Sequence, residues 1–270
     1  MMKETIKQRL QKLGIYDHLK YSVLFRIYQR LLKPLVIKAE KKEVAFYRSF
    51  LPYSTLIFDI GAHDGHKTAA FLSIARKIVS VEPDTTNFKL LQVRFRYKKK
   101  RVFSENSAVS DIQETRSFHI HHDASAFNTL SDNWREVLEK DNLEKWNEKI
   151  IFSKSRMVST ITLDQLIMKY GIPGFIKIDV EGWEEKVLKG LTQKVPFLSF
   201  EALLPQGKEQ LDHCLNLIEQ LDSLAGFNIA LHEELQLPSF VNLCVLKDWL
   251  QQNTITHLEI IVRMNTATSH

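Results

Sequence analysis

The sequence predicts an α/β fold, an open and mostly parallel sheet covered on both faces by helices. Three observations lead there. Short apolar runs alternate with helical patterns from Leu56 onward, the signature of strand–helix–strand units. The first run, Leu56–Ile60, stops at Gly61, and Gly65 and a helical pattern from Lys67 follow. A strand, a glycine turn and a helix form the place where an open parallel sheet holds a ligand at its carboxyl edge. The next run, Ile78–Val81, ends in Glu82, about twenty residues on, where a carboxylate can accept both hydroxyls of a ribose.

At 270 residues and 44% hydrophobic, the chain makes one large domain, or one domain with an appendage. Its charge is unevenly placed. Residues 1–50 carry 12 Lys/Arg against 4 Asp/Glu, a net of +8, while the whole chain is +5, so residues 51–270 sum to −3. In that basic stretch Leu24, Tyr28, Leu31 and Leu35 recur at helical spacing, and Phe25, Ile27 and Leu32 widen the stripe. Pro34 should bend this helix or divide it. Residues 1–50 are therefore expected to form a basic amphipathic helical extension ahead of a domain spanning 51–270. Packing on the main domain is the favoured role, because such helices are ordinary covers. The sharper alternative is a surface resting on anionic lipid.

Met1–Gly14 is charged and has no apolar h-region, so no secretory signal is expected. No run approaches the ~18 apolar residues of a spanning helix. Cys214 and Cys244 form no metal-type pair and read as thiols of a reducing compartment. A cytoplasmic location is expected, with at most peripheral contact at the inner face of the membrane. Nucleic acid is not an expected partner, since no known nucleic-acid motif accompanies the extension or the basic run Arg94–Arg101.

The elements follow in order. Lys67–Arg76 and Asp84–Tyr97 read as helices around the strand Ile78–Val81, and Arg101–Glu105 is the third strand. Ser117–His121 is an additional strand. Residues 131–153, with Trp134 and Trp146, break the rhythm as a helical insertion over the ligand edge, where specificity tends to reside. Met157–Leu163 is a strand and Asp164–Tyr170 a helix. Phe175–Val180 is a buried strand that ends in a carboxylate, with the helix Glu184–Leu188 behind it. Phe197–Phe200 is a strand and Lys208–Leu224 an amphipathic helix. Phe227–Leu231, Val241–Leu246 and Leu258–Val262 are expected to close the sheet as strands.

Acids gather where these strands end: Asp59 and Glu82, then Asp179 and Glu181, then Glu201. Several converging beside a glycine turn point to a ligand site. A dinucleotide would want Gly-x-Gly-x-x-Gly with amides facing a pyrophosphate. Gly61-Ala-His-Asp-Gly65 lacks the middle glycine and is acidic, which suits a ligand with a positive end and no phosphates. S-adenosyl-L-methionine has that character.

Five blocks extend this reading: Phe-Asp-Ile-Gly-Ala-His-Asp-Gly, Ser-Val-Glu-Pro, Ser-Ala-Val-Ser-Asp, Thr-Leu-Asp-Gln-Leu and Ile-Lys-Ile-Asp-Val-Glu-Gly-Trp-Glu. In order and content, from about Leu56 to Glu201, they resemble the FkbM-type family of S-adenosylmethionine-dependent methyltransferases. The resemblance implies a Rossmann-like, seven-stranded methyltransferase sheet. It also implies O-methylation of a hydroxyl on a sugar, a glycan or a small secondary metabolite. By the same resemblance Asp59 and Gly61 border the cofactor's methionine end, His63 and Gly65 are cofactor-binding residues of the same turn, and Glu82 takes the ribose. Asn106, Ser107 and Ala108 lie where the adenine is contacted, and Asp179 and Glu181 where the acceptor hydroxyl meets the sulfonium. His63 departs from the family, which usually has asparagine there, and its charge would make cofactor affinity depend on pH. A hydroxyl needs its proton removed as it attacks, and Asp179 or Glu181 is the expected base. Cofactor positioning remains an alternative role for Asp179, and satisfying free amides at a helix N-terminus one for Glu181.

His119 and His121 would share a strand face, as zinc ligands can, but no third ligand is fixed. No metal is expected; the pair reads as polar strand residues or a substrate-side base. Two other classes compete with the methyltransferase. An NAD(P)-linked oxidoreductase is opposed by the missing glycine. A non-catalytic Rossmann-like binding protein is opposed by the retained acids.

Overall fold

The structure is a computed structural model that describes residues 15–140 and 149–266. The reading of Met1–Gly14 lies outside the described residues, as does the side chain of Leu24.

β1 (Ser54–Ile60) is the centre of the main sheet. It runs parallel to β2 (Ala75–Val81) on one side and β7 (Phe175–Ile178) on the other. β3 (Val102–Glu105) lies beyond β2 and β8 (Phe197–Leu203) beyond β7, both parallel. β11 (His257–Arg263) is inserted antiparallel between β8 and β9 (Gly226–Leu231). The order is β10-β9-β11-β8-β7-β1-β2-β3. The chain thus builds outward from β1 to β3, then restarts across β1 at β7. A crevice opens at such a reversal, outside the carboxyl ends of the central strands.

Two expectations need correction. The sheet has eight strands, not seven. The eighth, β10 (Glu234–Leu235), is a two-residue strand folded back on β9 through His232 and Glu233, both at positive φ, the geometry of a tight hairpin turn. Val241–Leu246 is not a strand either. Val241 makes one bridge to Phe227, and the chain then enters helix α10 (Leu243–Gln252), whose first turn is capped by the Asn242 side chain accepting from Val245 N at 3.0 Å. A short apolar run cannot separate strand from helix, and the asparagine cap was the informative residue.

Helices cover both faces. Phe58, Ile178 and Phe200 pack with Leu166 of α7 (Leu163–Tyr170), Leu188 of α8 (Glu184–Lys189), Leu215 of α9 (Lys208–Leu221) and Leu246 of α10. On the other face Ile57, Ile78 and Phe175 meet Phe71 of α4 (His66–Phe71) and Phe46 and Tyr47 of α3 (Pro34–Phe50). α4 is shorter than the predicted Lys67–Arg76 because β2 already begins at Ala75, opposite Ser54. α5 (Thr85–Arg94) follows β2 and is N-capped by Asp84. A three-stranded sheet, β4 (Ala108–Val109), β6 (Lys154–Ile161) and β5 (Thr115–Ile120) in that spatial order, stands beside the crevice. Of the predicted insertion, Asp132–Lys140 is helix α6, and residues 141–148, with Trp146, lie outside the described residues.

The N-terminal extension has two parts. α1 (Tyr16–Lys20) and α2 (Val23–Leu32) precede Pro34, which stands at the first position of α3, where its missing N–H costs nothing. The last turns of α3 are core. Tyr47 is fully buried, its ring 4.9 Å from Phe71 and 5.7 Å from Phe175. At the α2–α3 elbow Leu31, Leu32 and Leu35 are instead 73%, 68% and 79% exposed. Tyr47→Ala is therefore expected to cost about 3–5 kcal/mol in urea unfolding, and Leu31→Ala within about 0.5 kcal/mol of zero. Equal losses at the two sites would contradict this division.

Candidate functional site

A cavity of about 140 Å³ lies in the crevice between β1 and β7. Its floor is set by one contact. Gly61, at φ +78°, passes so close to β7's exit that a Cβ on it would sit 1.7 Å from the Asp179 carbonyl oxygen. No side chain fits there, and L residues rarely adopt that φ. The turn after β1 and the acids after β7 therefore meet as one surface.

Glu82 forms one wall. It is buried, and each carboxylate oxygen accepts one backbone N–H at 2.8 Å, Oε2 from His63 and Oε1 from Asp84. A carboxylate has further lone pairs, so the cavity side can still accept. Burial pushes its pKa up to about 7, against the pull of the two backbone donors and His63. Ser107 and Ala108 also line the cavity, and the buried Ser107 Oγ has no hydrogen-bond partner. An orphaned polar atom facing a cavity is the mark of a missing partner. Asn106 is exposed and outside the lining. Its Nδ2 donates to the carbonyls of Glu82 at 2.9 Å and Pro83 at 3.2 Å, tying the ends of β2 and β3 together.

Asp59 and Gly65 do not line the cavity either. Asp59 is buried under the turn and accepts from Thr68 Oγ1; burial raises its pKa to about 6, opposed by Thr68 and Lys177. Gly65 precedes α4 and packs on Phe95. His63 does line the cavity and holds its cover: Nε2–H donates to Ala124 O at 3.1 Å. That cover, the segment after β5, is pinned again by Asn128, whose Nδ2 donates to His122 O at 3.1 Å and Asp84 Oδ2 at 3.3 Å.

Asp179 and Glu181 close the far end. Sequence reasoning missed the group that holds Asp179. Lys177, fully buried in β7, places Nζ 3.0 Å from Glu201, 3.4 Å from Asp179 and 3.9 Å from Glu259. Burial opposes its charge, yet these three carboxylates hold its pKa well above the ordinary lysine range. Burial raises Asp179 to about 6 against Lys177's pull, whereas Lys177 and His257 (3.1 Å away) bring Glu201 well below the usual range despite burial. A lysine inside Phe-Ile-Lys-Ile was the available signal, since buried charges are paired. Glu181 is left-handed, at φ +51°, as are His63 and Ala124 at this site, at +49° and +61°; left-handed non-glycine residues concentrate at functional sites. Thr129 Oγ1 donates to its carbonyl at 2.6 Å, binding the cover to the β7 exit.

The histidine pair does not reach this site. His119 Nε2 pairs with Asp132 Oδ1 at 2.9 Å, and neither His119 nor His121 lines a cavity described here. Among the described residues no three His, Cys, Asp or Glu side chains are grouped to hold a metal ion.

The model of the methyltransferase FkbM domain matches residues 59–227, more than half of the chain. No curated protein matches it. Among solved structures, methyltransferase FkbM from Methylobacillus flagellatus KT is 17% identical with TM-score 0.48; the match covers 77% of this chain but 44% of that protein, less than half its length. Precorrin-6y C5,15-methyltransferase from Geobacter metallireducens GS-15 is 9% identical over 84% of this chain and 87% of that one, TM-score 0.41. The plantazolicin methyltransferase, solved with a monoazolic desmethylPZN analog and SAH, is 12% identical over 98% and 100%, TM-score 0.39. The family match, not these distant likenesses, carries the assignment.

Removing the shared cation tests the electrostatics. Lys177→Met leaves Asp179, Glu201 and Glu259 facing one another, and about 3–5 kcal/mol of stability at neutral pH is expected to go. Protonation relieves that repulsion, so the deficit should shrink as pH falls through the carboxylate range. Denaturant melts of both proteins at several pH values check it; a deficit independent of pH would contradict the pairing.

Proposed function

The chain belongs to the FkbM methyltransferase family, and from that premise we propose that it methylates a hydroxyl on a sugar, a glycan or a small secondary metabolite, using S-adenosyl-L-methionine. The observation that carries the reading is the single cavity with Glu82 and the unpartnered Ser107 Oγ at one end and Asp179 and Glu181 at the other. Its residues fit the cofactor. Glu82 would hold the ribose hydroxyls, Ser107 and Ala108 would face the adenine, and Gly61 leaves room for the methionine end. The bound cofactor would supply a methyl carbon on a sulfonium, already a good leaving group.

The chain's own residues supply the rest. The cover pinned by His63, Asn128 and Thr129 excludes water. Alignment of two held reactants is worth up to ~7–11 kcal/mol of barrier in favourable cases. Asp179 or Glu181 takes the hydroxyl proton, a step typically worth about 10²–10⁴-fold. Lys177 fixes Asp179 from below. Asp59 and Gly65 act beneath this surface in our reading, shaping the turn.

An NAD(P)-linked oxidoreductase has no comparable support. The turn's Asp64 is held well below the ordinary aspartate range, despite burial, by His63, Arg94 and Tyr21. Its charge belongs to a turn that also lacks the middle glycine of a pyrophosphate-binding loop.

Calorimetry with S-adenosylhomocysteine tests the cofactor. Binding in the micromolar range is expected, as is its loss in Glu82→Ala with the fold retained. Affinity should also strengthen as pH rises through about 7, because the ionised Glu82 carboxylate is the better acceptor for ribose hydroxyls. That dependence should be weaker in Glu82→Gln. Heat with NAD and none with S-adenosylhomocysteine would overturn the reading. Labelled S-adenosylmethionine added to cell extract, with mass spectrometry of the products, identifies the acceptor and whether oxygen carries the methyl.

A second role is proposed for the extension. No helix among the described residues is long and apolar enough to cross a membrane. Exposed Leu31, Leu32 and Leu35 beside exposed Lys33 and Lys38 support peripheral docking on anionic lipid. Co-sedimentation with phosphatidylserine vesicles is expected for the full chain, and reduced for Leu31→Glu/Leu35→Glu. A full chain that stays in the supernatant ends this reading.

A further inference from the structure

A second cavity, about 30 Å³, lies on the far side of Asp179 and Glu181, which line both cavities. About 10–15 Å³ of such space holds one water, so the cavity has room for a small polar head group. Trp134 of α6, Glu184, Glu201 and Gln210 of α9 complete the polar lining.

The groups facing inward are unbalanced. Asp179, Glu181, Glu184 and Glu201 present carboxyl groups. Gln210 Nε2 donates one of its two N–H groups to Glu184 Oε2 at 3.0 Å, and its Oε1 is an acceptor. Lys177 compensates Asp179 and Glu201. Among the described residues no cation lies within ion-pair distance of Glu181 or Glu184. Glu184 is buried, with Oε1 meeting the N–H groups of Val180 and Gly182 at 3.3 Å. Burial and the neighbouring carboxylates push Glu181 well above the usual range, and burial foremost brings Glu184 to about 7. The walls thus carry an excess of carboxyl groups, and among the described residues no cation balances Glu181 or Glu184.

The second observation is Trp134. It is 6% exposed, and its Nε1–H, on the side of Glu181, makes no hydrogen bond of proper geometry. A buried indole N–H ordinarily has a partner. Here the open space beside it is the second cavity.

We propose that this cavity is an anchoring subsite for a protonated amino group on the acceptor, seated between Glu181 and Glu184 with Trp134 Nε1–H donating to an adjacent acceptor oxygen. The acceptor is then an amino alcohol or amino sugar, and the reacting hydroxyl lies toward Asp179, where the cavities join. This rests on the reading of the first cavity as the cofactor seat. No bond is made or broken at the subsite; it selects the substrate by charge. Trp134 and Glu184 are positioning residues.

The test uses the full chain and two probes of equal size, ethanolamine and ethylene glycol, in proton–nitrogen NMR. The Trp134 indole resonance is identified by its absence in Trp134→Phe. Millimolar ethanolamine is expected to shift it and ethylene glycol to leave it in place. Glu181→Gln and Glu184→Gln should each weaken the ethanolamine response about tenfold or more, since hydrogen bonds to charged groups are worth roughly 1.5–3 kcal/mol. Equal responses to the two probes, or none to ethanolamine, overturn the proposal, and that comparison depends on neither glutamate variant. S-adenosylhomocysteine calorimetry on the same sample keeps the failures apart. Cofactor heat without an ethanolamine response sinks the subsite alone, whereas absent cofactor heat sinks the underlying reading.

Discussion

Everything at the carboxyl edge of this sheet depends on one buried cation. Lys177 Nζ is the point at which Asp179, Glu201 and Glu259 meet. Three carboxylates so placed repel one another, and burial sharpens the repulsion because little solvent screens it. The lysine is costly to bury alone and the acids are costly to bury without it. Together they form a polar pier in an otherwise apolar strand, with Ile176 and Ile178 buried on the opposite face. The pier fixes Asp179 from below. The cavity above can then present a carboxylate whose position is set by the sheet and not by a loop.

The second constraint is steric. Gly61 removes a Cβ that would collide with the Asp179 carbonyl, and Gly182 one that would stand 2.6 Å from Trp134 Cβ and Cγ. These contacts act on opposite sides of the β7 exit. The first brings the turn after β1 onto Asp179, and the second brings α6 down onto Glu181. The unusual backbone of Glu181 lies between them. Its left-handed conformation is held from outside by Thr129, which donates to its carbonyl.

Legibility in the sequence follows the range of the interactions. Strands and their order of appearance were readable because apolar runs end in glycine or acid, a local pattern. Glu82, Ser107, Asp179 and Glu181 were readable for the same reason, being strand-end residues at a predictable edge. Asp59 has the same local signature yet lies beneath the surface, because the pleat turns successive side chains to opposite faces, and sequence does not say which face meets the ligand. Lys177 was visible as a charge in a buried run, but its partners come from β8 and β11. The role of Trp134 depends wholly on contacts across the fold, so composition marked it only as apolar surface. The two-residue β10 was too short to be read, and α10 was misread as a strand where one capping asparagine decided the outcome.

On the proposed roles, these couplings would let the scaffold change acceptor without losing its cofactor. Groups proposed for the cofactor come from the exits of β1, β2 and β3, and Glu82 is held within that neighbourhood by the backbone N–H groups of His63 and Asp84. The acceptor groups come from the β5–β6 connection and from α9. They reach the site through Glu181, by way of Thr129, and through Glu184, by way of Gln210. Substitution in α6 or α9 therefore alters the second cavity and leaves the first wall intact. A change at Asp179 disturbs both, because that residue alone is joined to Lys177 and Gly61 as well as lining each cavity. Acceptor choice is thus free to vary around a fixed β7 exit, and the buried lysine keeps that exit fixed.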